Sequence, residues 1–369
     1  MSSGFNKLSK SPGQLLFYVI TVLSIWTCTS CVSANPQKFH AEFDGLFDTH
    51  AEIVGYAGSE AEFTKYAAKI YDGMAEYSEL FDIYNNYGGI NNLKTVNDNA
   101  GVIPVRVDGK IIEFLEFCVE NYPNTDNTVN IAMGSVLTIW HDFREFGTAN
   151  PAEASLPKMP DLQAAALNMD IGSLIIDGDS KTVFLKNKGM SLDVGAAAKG
   201  YAAGAVANDV KALGMTSALL DIGGNVVAIG KPLDGVRDRW GVGVQDPRQA
   251  AGGLAGIIDT VFVSDCAVVT SGDYQRFYMV DNARYNHIID PGTLMPARRY
   301  ASVTVIAKDS GLADILSTAL FIVDETEGRE ICKRNNTEAI WVYHDGQVSY
   351  TDGYKAISKT YGGYSSVDK

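Results

Sequence analysis

Apolar residues recur at helical spacing in several segments of the chain, and these segments predict its helices. Between residues 61 and 81 the apolar positions fall near one face of a long amphipathic helix. The same reasoning predicts helices at residues 109–122, 162–168, 200–213 and 311–323. The intervening stretch 82–101 is rich in Asn and Gly and is predicted to be a loop.

Short runs of alternating or continuously apolar residues, which are typical of strands, fill most of the remainder. The alternation that begins at Phe47 predicts the first strand. Other strands are predicted at residues 173–177, 183–186, 190–194, 217–229 (a pair interrupted at Gly223 and Gly224), 240–245, 257–263, 267–269, 284–289, 302–307, 339–343 and 347–350. Because strands and helices are interspersed without regular βαβ alternation, the predicted fold is α+β, in one compact mixed domain over residues 39–369.

The first 31 residues resemble an export signal. Two lysines precede an apolar run at residues 15–26 that is too short to span a bilayer comfortably. Small residues before Cys31 are similar to a bacterial lipoprotein cleavage site, which makes Cys31 a candidate for lipidation; an ordinary signal peptide or an uncleaved anchor are the alternatives. Residues 32–38 would form a tether, and the protein is expected to be exported and anchored to the membrane.

Composition narrows the range of functions. The 30 basic and 44 acidic residues give a formal net charge of −14, which disfavours a nucleic-acid partner held through phosphate contacts. The three cysteines of the body, Cys118, Cys266 and Cys332, are widely spaced and show no metal-binding pattern. We interpret them as small buried hydrophobic residues.

Two glycine-containing segments are candidates for ligand contact. The segment DVGAAAKGY begins at Asp193 and passes from a strand end into a helix start, where small residues and N–H groups suit a phosphate and Lys199 adds a positive charge. The segment DIGGN at residues 221–225 favours either a close approach by a ligand or a tight bend. A purely structural turn is the alternative for both.

Two further segments carry polar side chains suited to catalysis. His287 and Asp290 lie in HIIDP, and either side chain is a candidate proton acceptor unless its role is structural. Asp314 and Thr318 lie four residues apart in a predicted helix, so their oxygens would project from one face. Such hard oxygen ligands suit Mg²⁺ bound to substrate phosphates, whereas the alternative is a helix-terminal Asp and a core Thr.

Taken in order, the segments of residues 47–323 resemble the ApbE family of FAD:protein FMN transferases. The resemblance is carried by DVGAAAKGYA, DIGGNVVAIG, WGVGVQDPR, TSGDYQRFY, YNHIIDP, SVTVIA and ADILSTALFIV, and it includes the exported lipoprotein start. It implies a Mg²⁺-dependent enzyme that splits the pyrophosphate of FAD. The FMN half would be attached through a phosphoester bond to a Thr or Ser of a target protein, with release of AMP. The target implied is a subunit of a membrane redox complex.

The resemblance also implies roles for particular residues. The Mg²⁺ ligands would be Asp314, Thr318 and the backbone carbonyl of Ala196, with a contribution from Ser317. The FAD contacts would be Asp193, Lys199 and Ile289, together with Tyr84 against a ring of the cofactor and the segment Thr128, Val129 and Asn130.

Three segments depart from the family pattern. Phe47-Asp48-Thr49 stands where the family commonly has Met-Gly-Thr. The segment TDNTVN replaces TDGAFD, so Asn127 takes the place of a Gly and Asn130 that of an acidic residue. Leu294 stands where HIIDPxTGxP has its Gly. The same site with water as acceptor would make the protein an FAD pyrophosphatase, and a non-catalytic flavin-binding lipoprotein is a third hypothesis.

Overall fold

The computed structural model describes residues 35–249 and 256–364. These residues form eight α-helices: α1 Glu60–Phe81, α2 Leu93–Asp98, α3 Gly109–Asn121, α4 Gly134–Ala149, α5 Met159–Ala166, α6 Ala198–Ala212, α7 Ser310–Ile322 and α8 Glu325–Asn335. The segments predicted to export and anchor the protein lie outside the described residues. Within those residues, no helix is both long enough and apolar enough to cross a membrane.

The described strands are β1 Gln37–Leu46, β2 Thr49–Ala57, β3 Val105–Arg106, β4 Leu174–Asp177, β5 Thr182–Leu185, β6 Ala218–Ile222, β7 Asn225–Ile229, β8 Trp240–Gln245, β9 Ile257–Val263, β10 Ala267–Gly272, β11 Phe277–Val280, β12 Ala283–Asn286, β13 Ile289–Asp290, β14 Met295–Pro296, β15 Ser302–Ala307, β16 Glu338–Val342 and β17 Val348–Tyr350. Eight of them form a central antiparallel sheet in the order β1-β2-β6-β7-β10-β15-β16-β17. Smaller sheets are β3-β5-β4 and the hairpins β8–β9, β11–β12 and β13–β14.

Helices cover one face of the central sheet. Helix α1 packs on β1, β2 and α6, and α6 packs on α7, which lies against β10 and β15. The apolar positions of α1 explain this placement, since Phe63, Ile70 and Met74 recur at helical spacing and are fully buried. Ser59 begins the helix by accepting a hydrogen bond from the N–H of Glu62 at 3.2 Å.

The other face of the sheet is covered by the β8–β9 hairpin. Trp240 and Val261 pack there with Val268 and Ile306 of the central strands. Strand β15 therefore has every residue buried, as expected of a strand covered on both faces. A separate apolar cluster joins α4 and α5 to the β11–β12 and β13–β14 hairpins.

The predicted α+β fold class is confirmed, and most predicted elements are present within a few residues. Two predictions were wrong in part. The stretch 82–101 is not all loop, because Asn92 caps α2 by accepting a hydrogen bond from the N–H of Thr95 at 3.1 Å. Residues 190–194 do not form a strand, since the N–H and carbonyl of Leu192 are both bonded to the side chain of Asn97, at 2.7 and 3.0 Å.

Other differences concern boundaries and elements without a prediction. The strand predicted at 284–289 is divided into β12 and β13, because the side chain of Asn286 accepts a hydrogen bond from the N–H of Ile288 at 2.8 Å. Strand β1 begins at Gln37, two residues before the predicted start of the domain. Helices α4 and α8 were not predicted.

Candidate active site

A cavity of about 680 Å³ lies where α4, α6 and α7 approach the turn after α1 and the segments next to β10 and β13. Its volume falls in the range of about 300–1,000 Å³ that is usual for cofactor sites. It is lined by these residues singled out in the sequence: Tyr84, Thr128, Val129, Asn130, Asp193, Ala196, Lys199, His287, Ile289, Asp314 and Thr318. We call it the catalytic cavity.

Asp314 projects from α7 toward the start of α6. Its Oδ2 accepts a hydrogen bond from the N–H of Gly200 at 2.8 Å. In the amide orientation that gives both ends of the Asn225 side chain a partner, its nitrogen lies 3.2 Å from Oδ1 of Asp314 and its oxygen 3.2 Å from Nζ of Lys199. Asn225 therefore links the carboxylate to the ammonium group in the interior of the protein.

Burial perturbs both charged groups. It raises the pKa of Asp314 to about 6, although Lys199 and the Gly200 N–H act in the opposite direction. It lowers the pKa of Lys199, although Asp314 favours the charged form. The attraction between the two groups thus does not compensate fully for their removal from water. A cation beside Asp314 or an anion beside Lys199 would stabilise the charged forms.

A glycine lets α6 approach α7 closely at this point. A Cβ added to Gly200 would lie 2.4 Å from Cβ of Asp314 and 2.5 Å from the carbonyl oxygen of Ser310. Neither atom belongs to the far end of a flexible side chain. The requirement for Gly at residue 200 is therefore a matter of helix contact, and it allows the backbone N–H to reach Asp314.

His287 lines the same cavity. Its Nδ1 is 3.2 Å from the carbonyl oxygen of Arg276. Because a carbonyl can only accept, Nδ1 carries the proton and Nε2 keeps a free lone pair in the neutral ring. Burial, together with the nearby Arg276 and Arg144, lowers the pKa of His287 to about 3, so the ring is neutral at physiological pH.

Three cations face the cavity. Lys199 of α6, Arg144 of α4 and Arg276, which follows β10, all line it. Asp193 is also there, and burial raises the pKa of its carboxyl group even though the Gly195 N–H donates to it at 2.9 Å. Three cations are thus available here to a pyrophosphate, although the carboxylates of Asp48, Asp82, Asp193 and Asp314 border the same cavity.

Aromatic and apolar side chains complete the walls. Tyr84 is 55% exposed, and its ring lies 5.0 Å from that of His141 at an angle of 31°. It therefore presents a flat surface beside the cavity. Val129 and Ile289 are buried and supply apolar surface. Thr128 donates its hydroxyl to the Thr125 carbonyl at 2.6 Å and thereby fixes the local turn.

The structure does not bring Ser317 and Asp290 into the cavity. The Ser317 hydroxyl donates to the carbonyl of Asp314 at 2.9 Å and lies 2.8 Å from the hydroxyl of Ser271, in a layer behind the cavity wall. The two carboxylate oxygens of Asp290 accept from the N–H of Gly292 at 2.8 Å and the hydroxyl of Thr293 at 3.0 Å. Asp290 thus organises a turn, and of the two candidate proton acceptors only His287 lines the cavity.

The oxygen donors fit a magnesium ion. No group of three or more His, Cys, Asp or Glu side chains in residues 35–249 and 256–364 is arranged to hold a metal. One carboxylate (Asp314), one hydroxyl (Thr318) and the backbone at Ala196 do border the same cavity. Mg²⁺ accepts such a sparse set of hard ligands because water and substrate phosphates complete its coordination.

A sequence model of the ApbE family matches residues 47–341. The chain belongs to the ApbE family. The FAD:protein FMN transferase of Treponema pallidum is 32% identical over 274 residues, which are 71% of this chain and 73% of that protein. That of Klebsiella pneumoniae is 28% identical over 305 residues, which are 82% and 90% of the two chains. The crystal structure of the ApbE protein of Thermotoga maritima aligns with a TM-score of 0.75 at 27% identity, over 87% of this chain and 99% of that one.

Two departures from the ApbE pattern keep the backbone shape that glycine would give. Leu294 has φ of 58° and Asn127 has φ of 64°, both in the left-handed region that favours Gly. Asn tolerates this region, whereas Leu adopts it at a cost. Two hydrogen bonds hold the turn at Leu294. The N–H of Leu294 donates to the carbonyl of Asp290 at 2.8 Å, and Nε1 of Trp140 donates to the carbonyl of Leu294 at 2.9 Å.

The remaining departures are also structural. Asn130 donates from Nδ2 to the carbonyl of Met169 at 2.8 Å and accepts at Oδ1 from the N–H of Ala132 at 2.9 Å. A carboxylate at this position would have no proton to donate to Met169. Phe47 and Asp48, at the other departure, border the catalytic cavity, and both have φ of 52°.

Four residues, three that line the cavity and Asn225 next to it, had no predicted role. Arg144 and His141 belong to α4, which was itself not predicted, and Arg144 donates to Nδ1 of His141 at 2.9 Å. Asn225 had a signal, since it ends the DIGGN segment, but only the glycines of that segment were interpreted. Arg276 lies in the TSGDYQRFY motif and was likewise available from the sequence.

Proposed function

We propose that this protein is a Mg²⁺-dependent FAD:protein FMN transferase that attaches FMN through a phosphoester bond to a Thr or Ser of a target protein and releases AMP. The observation that carries the proposal is the convergence of Lys199, Asp314 and His287 on one cavity with two arginines. The curated relatives in Treponema pallidum and Klebsiella pneumoniae bear this activity in their names.

The cations and the aromatic surface account for binding of FAD. Arg144, Arg276 and Lys199 would hold the pyrophosphate through charge-assisted hydrogen bonds. Tyr84 would lie against one of the two ring systems of FAD, and Val129 and Ile289 would contact its apolar edges. The cavity then fixes the FMN-side phosphorus relative to His287.

Transfer requires a hydroxyl oxygen of the target to attack that phosphorus while the bond to the AMP oxygen breaks. His287 is placed to receive the hydroxyl proton at Nε2, because Nδ1 is bonded to the Arg276 carbonyl. Burial is the main cause of the lowered pKa of His287, and repulsion by Arg276 and Arg144 adds to it. Bound pyrophosphate would add negative charge near Arg276 and so oppose the contribution of this repulsion.

Asp314, Thr318 and the Ala196 carbonyl would hold Mg²⁺. When bound, the ion supplies neutralisation of phosphate charge, which is the main requirement of phosphoryl transfer. Asn225 keeps the Asp314 carboxylate oriented and Lys199 within reach of the leaving group.

The test is incubation of the purified protein with FAD, Mg²⁺ and candidate acceptor domains from subunits of membrane redox complexes. We expect the mass of one domain to rise by one FMN phosphoester, with an equal amount of AMP. A docked hydroxyl should outcompete water, since effective molarities of positioned groups reach about 10⁵ M or more. Rapid AMP release with no mass gain in any domain would favour the pyrophosphatase, and FAD binding without AMP release would favour a flavin-binding lipoprotein.

We also propose that the protein is exported and anchored through lipid on Cys31. The small residues before Cys31 and the preceding apolar run support this. The Cys31→Ser variant should either be lost from the membrane fraction or accumulate with its signal segment uncleaved. Unchanged mass and unchanged membrane association would instead indicate an uncleaved anchor.

A further inference from the structure

A second concave surface, of about 550 Å³, lies beside the catalytic cavity. Its lining includes Arg248, Arg284 and Arg298, together with His344 and the buried Asp273. We call it the arginine cleft. No role in FAD binding falls on any of these residues, because none of them borders the catalytic cavity.

Each of the three guanidinium groups is held in place. Arg284 donates to Oδ1 of Asp273 at 3.0 Å and stacks over the ring of Phe277 at 4.4 Å. Arg298 stacks over the ring of Tyr285 at 4.3 Å. Stacked and paired arginines lose little further rotamer freedom when they bind an anion.

Arg248 is held by a two-point ion pair. Its Nε and Nη2 donate to the carboxylate of Asp246 at 2.9 and 2.8 Å. A Cβ added at Gly346 would lie 1.9 Å from Nη1 of Arg248, so the guanidinium also rests directly on that backbone. This arginine is thus fixed on two sides.

The charges of the cleft are unevenly compensated. Asp246 pairs with Arg248, while Asp273 is shared between Arg284 and His344, whose Nδ1 lies 3.8 Å from it. Asp345 adds a negative charge near Arg248. Across the ranges that the structure describes, no carboxylate lies within ion-pair distance of Arg298. A planar anion entering the cleft would compete with no carboxylate for Arg298, whose Nη2 donates to the Arg284 carbonyl at 3.4 Å.

The cleft and the catalytic cavity share one structural element. The β11–β12 hairpin ends at Asn286, which lines the cleft, and the next residue, His287, lines the catalytic cavity. The cleft and the proposed base are thus one residue apart along the chain, a distance of about 3.8 Å between Cα atoms, so one docked protein can contact both. Carboxylate side chains are the groups of a protein that match guanidinium geometry.

We infer that the arginine cleft binds Asp or Glu side chains of the flavin-acceptor protein and so directs its hydroxyl toward His287; this rests on the proposed transferase function. The acidic chain, with its net charge of −14, otherwise repels an acidic partner. The cleft would therefore decide where such a partner docks. Its role is one of substrate selection, and it leaves the chemistry on FAD to the catalytic cavity.

The test compares Arg298→Glu and Arg298→Gln with Lys65→Glu. Lys65 is an exposed residue of α1, which packs at the β1 edge of the sheet, far from the β16–β17 edge that carries His344. Arg298→Glu should lower kcat/KM for the acceptor domain about tenfold or more at low salt through KM, and Arg298→Gln somewhat less. Lys65→Glu should change it little, even though its charge change equals that of Arg298→Glu. FAD-dependent AMP release without acceptor should be the same in all three variants.

Direct binding gives a second readout. A fluorescein-labelled hexaglutamate peptide should bind the wild-type protein more tightly than a hexaglutamine peptide. Arg298→Glu should abolish that preference, and high salt should weaken it. Displacement of the peptide by inorganic phosphate at matched ionic strength, with no effect of Arg298→Glu on transfer, would identify a small-anion site and overturn the inference.

The two proposals fail in different ways. Normal transfer by Arg298→Glu would overturn docking at the cleft while the transferase function stands. Absence of mass gain in every acceptor domain, with wild-type protein and FAD bound, would overturn the transferase function and the docking inference with it.

Discussion

The backbone at Leu294 offers a direct test of how this chain replaces a glycine of its family. Leu294 is 7% exposed and packs in one apolar cluster with Trp140, Ile289 and Leu162, yet its φ of 58° lies in the left-handed region. For a residue with a Cβ atom, this backbone conformation costs about 1–2 kcal/mol of stability. Truncation of a buried Leu to Ala costs about 2–5 kcal/mol. The side chain therefore stabilises the fold by more than the backbone strain costs.

The strain can be separated from the burial by comparing Ala with Gly at two positions. Leu162 is the matched control, since it is 0% exposed, belongs to the same cluster and lies in helix α5. At residue 162 Ala should be more stable than Gly by about 1 kcal/mol. At residue 294 the free energy of unfolding of the Ala variant minus that of the Gly variant should be about 1–2 kcal/mol lower than at residue 162. The reason is that Gly alone adopts the left-handed conformation without a steric cost.

Urea unfolding of the four variants, Ala and Gly at each position, measures the two differences in free energy of unfolding. Loss of the buried methyl group is nearly the same at both positions and cancels in the comparison. An equal preference for Ala over Gly at residues 162 and 294 would show that the turn costs nothing, and the strain argument would be refuted.

Four further outcomes are expected. Asp314→Asn should lower Mg²⁺-dependent AMP release about 100-fold or more in protein shown to be folded by circular dichroism, because a metal ligand is lost; full activity would remove Asp314 from the site. Gly200→Ala should cost about 1–3 kcal/mol by urea unfolding and weaken FAD binding, since its Cβ would meet Asp314 at 2.4 Å; Gly204→Ala, whose Cβ would lie 3.3 Å from its nearest neighbour, is the control and should cost less. Tyr84→Ala should weaken FAD binding about tenfold in a fluorescence titration while Tyr84→Phe binds normally; equal loss in both would exclude stacking. Asp259→Ala should cost about 3–5 kcal/mol, because two buried hydroxyls lose their acceptor. Burial raises the pKa of Asp259, but its hydrogen bonds lower the pKa overall from 3.8. The difference in free energy of unfolding between wild type and Asp259→Ala should therefore decrease as the pH falls below 3.8. A difference that persisted there would show that the ionised form is not what stabilises the fold.

The parts of the fold that the sequence predicted are those where one residue pattern decides the structure. The long helix α1 has a continuous apolar face, and β15 has four consecutive β-branched residues, Val303 to Ile306, so the pattern of each favours one type of element. Helix α8 was not predicted because it is mostly polar, with Gly328, Ile331 and Cys332 as its buried residues. Its apolar face is too small to be read without knowledge of the sheet on which it packs.

The site was predictable to the extent that its residues belong to motifs. Lys199 and Asp314 were found through the segments that contain them. Asn225 and Arg144 were not, because their roles depend on which elements meet across the cavity. Ser317 shows the same limit. It directly precedes Thr318 in the sequence, but the sequence does not reveal that its hydroxyl faces that of Ser271.

Three of the departures from the family pattern, Asn127, Asn130 and Leu294, fall on positions that shape the backbone, whereas Phe47 and Asp48 border the catalytic cavity. Asn127 and Leu294 keep a left-handed φ without glycine, one through a tolerant side chain and the other through burial. Asn130 uses its amide to hold the Met169 carbonyl, a bond that an acidic residue could not make when ionised. Because each of these three substitutions is compensated locally, none of the three requires a change at Lys199 or Asp314. The geometry of the catalytic cavity can therefore persist at 32% identity to a relative, since the constraint is on positions of atoms and only indirectly on residue types.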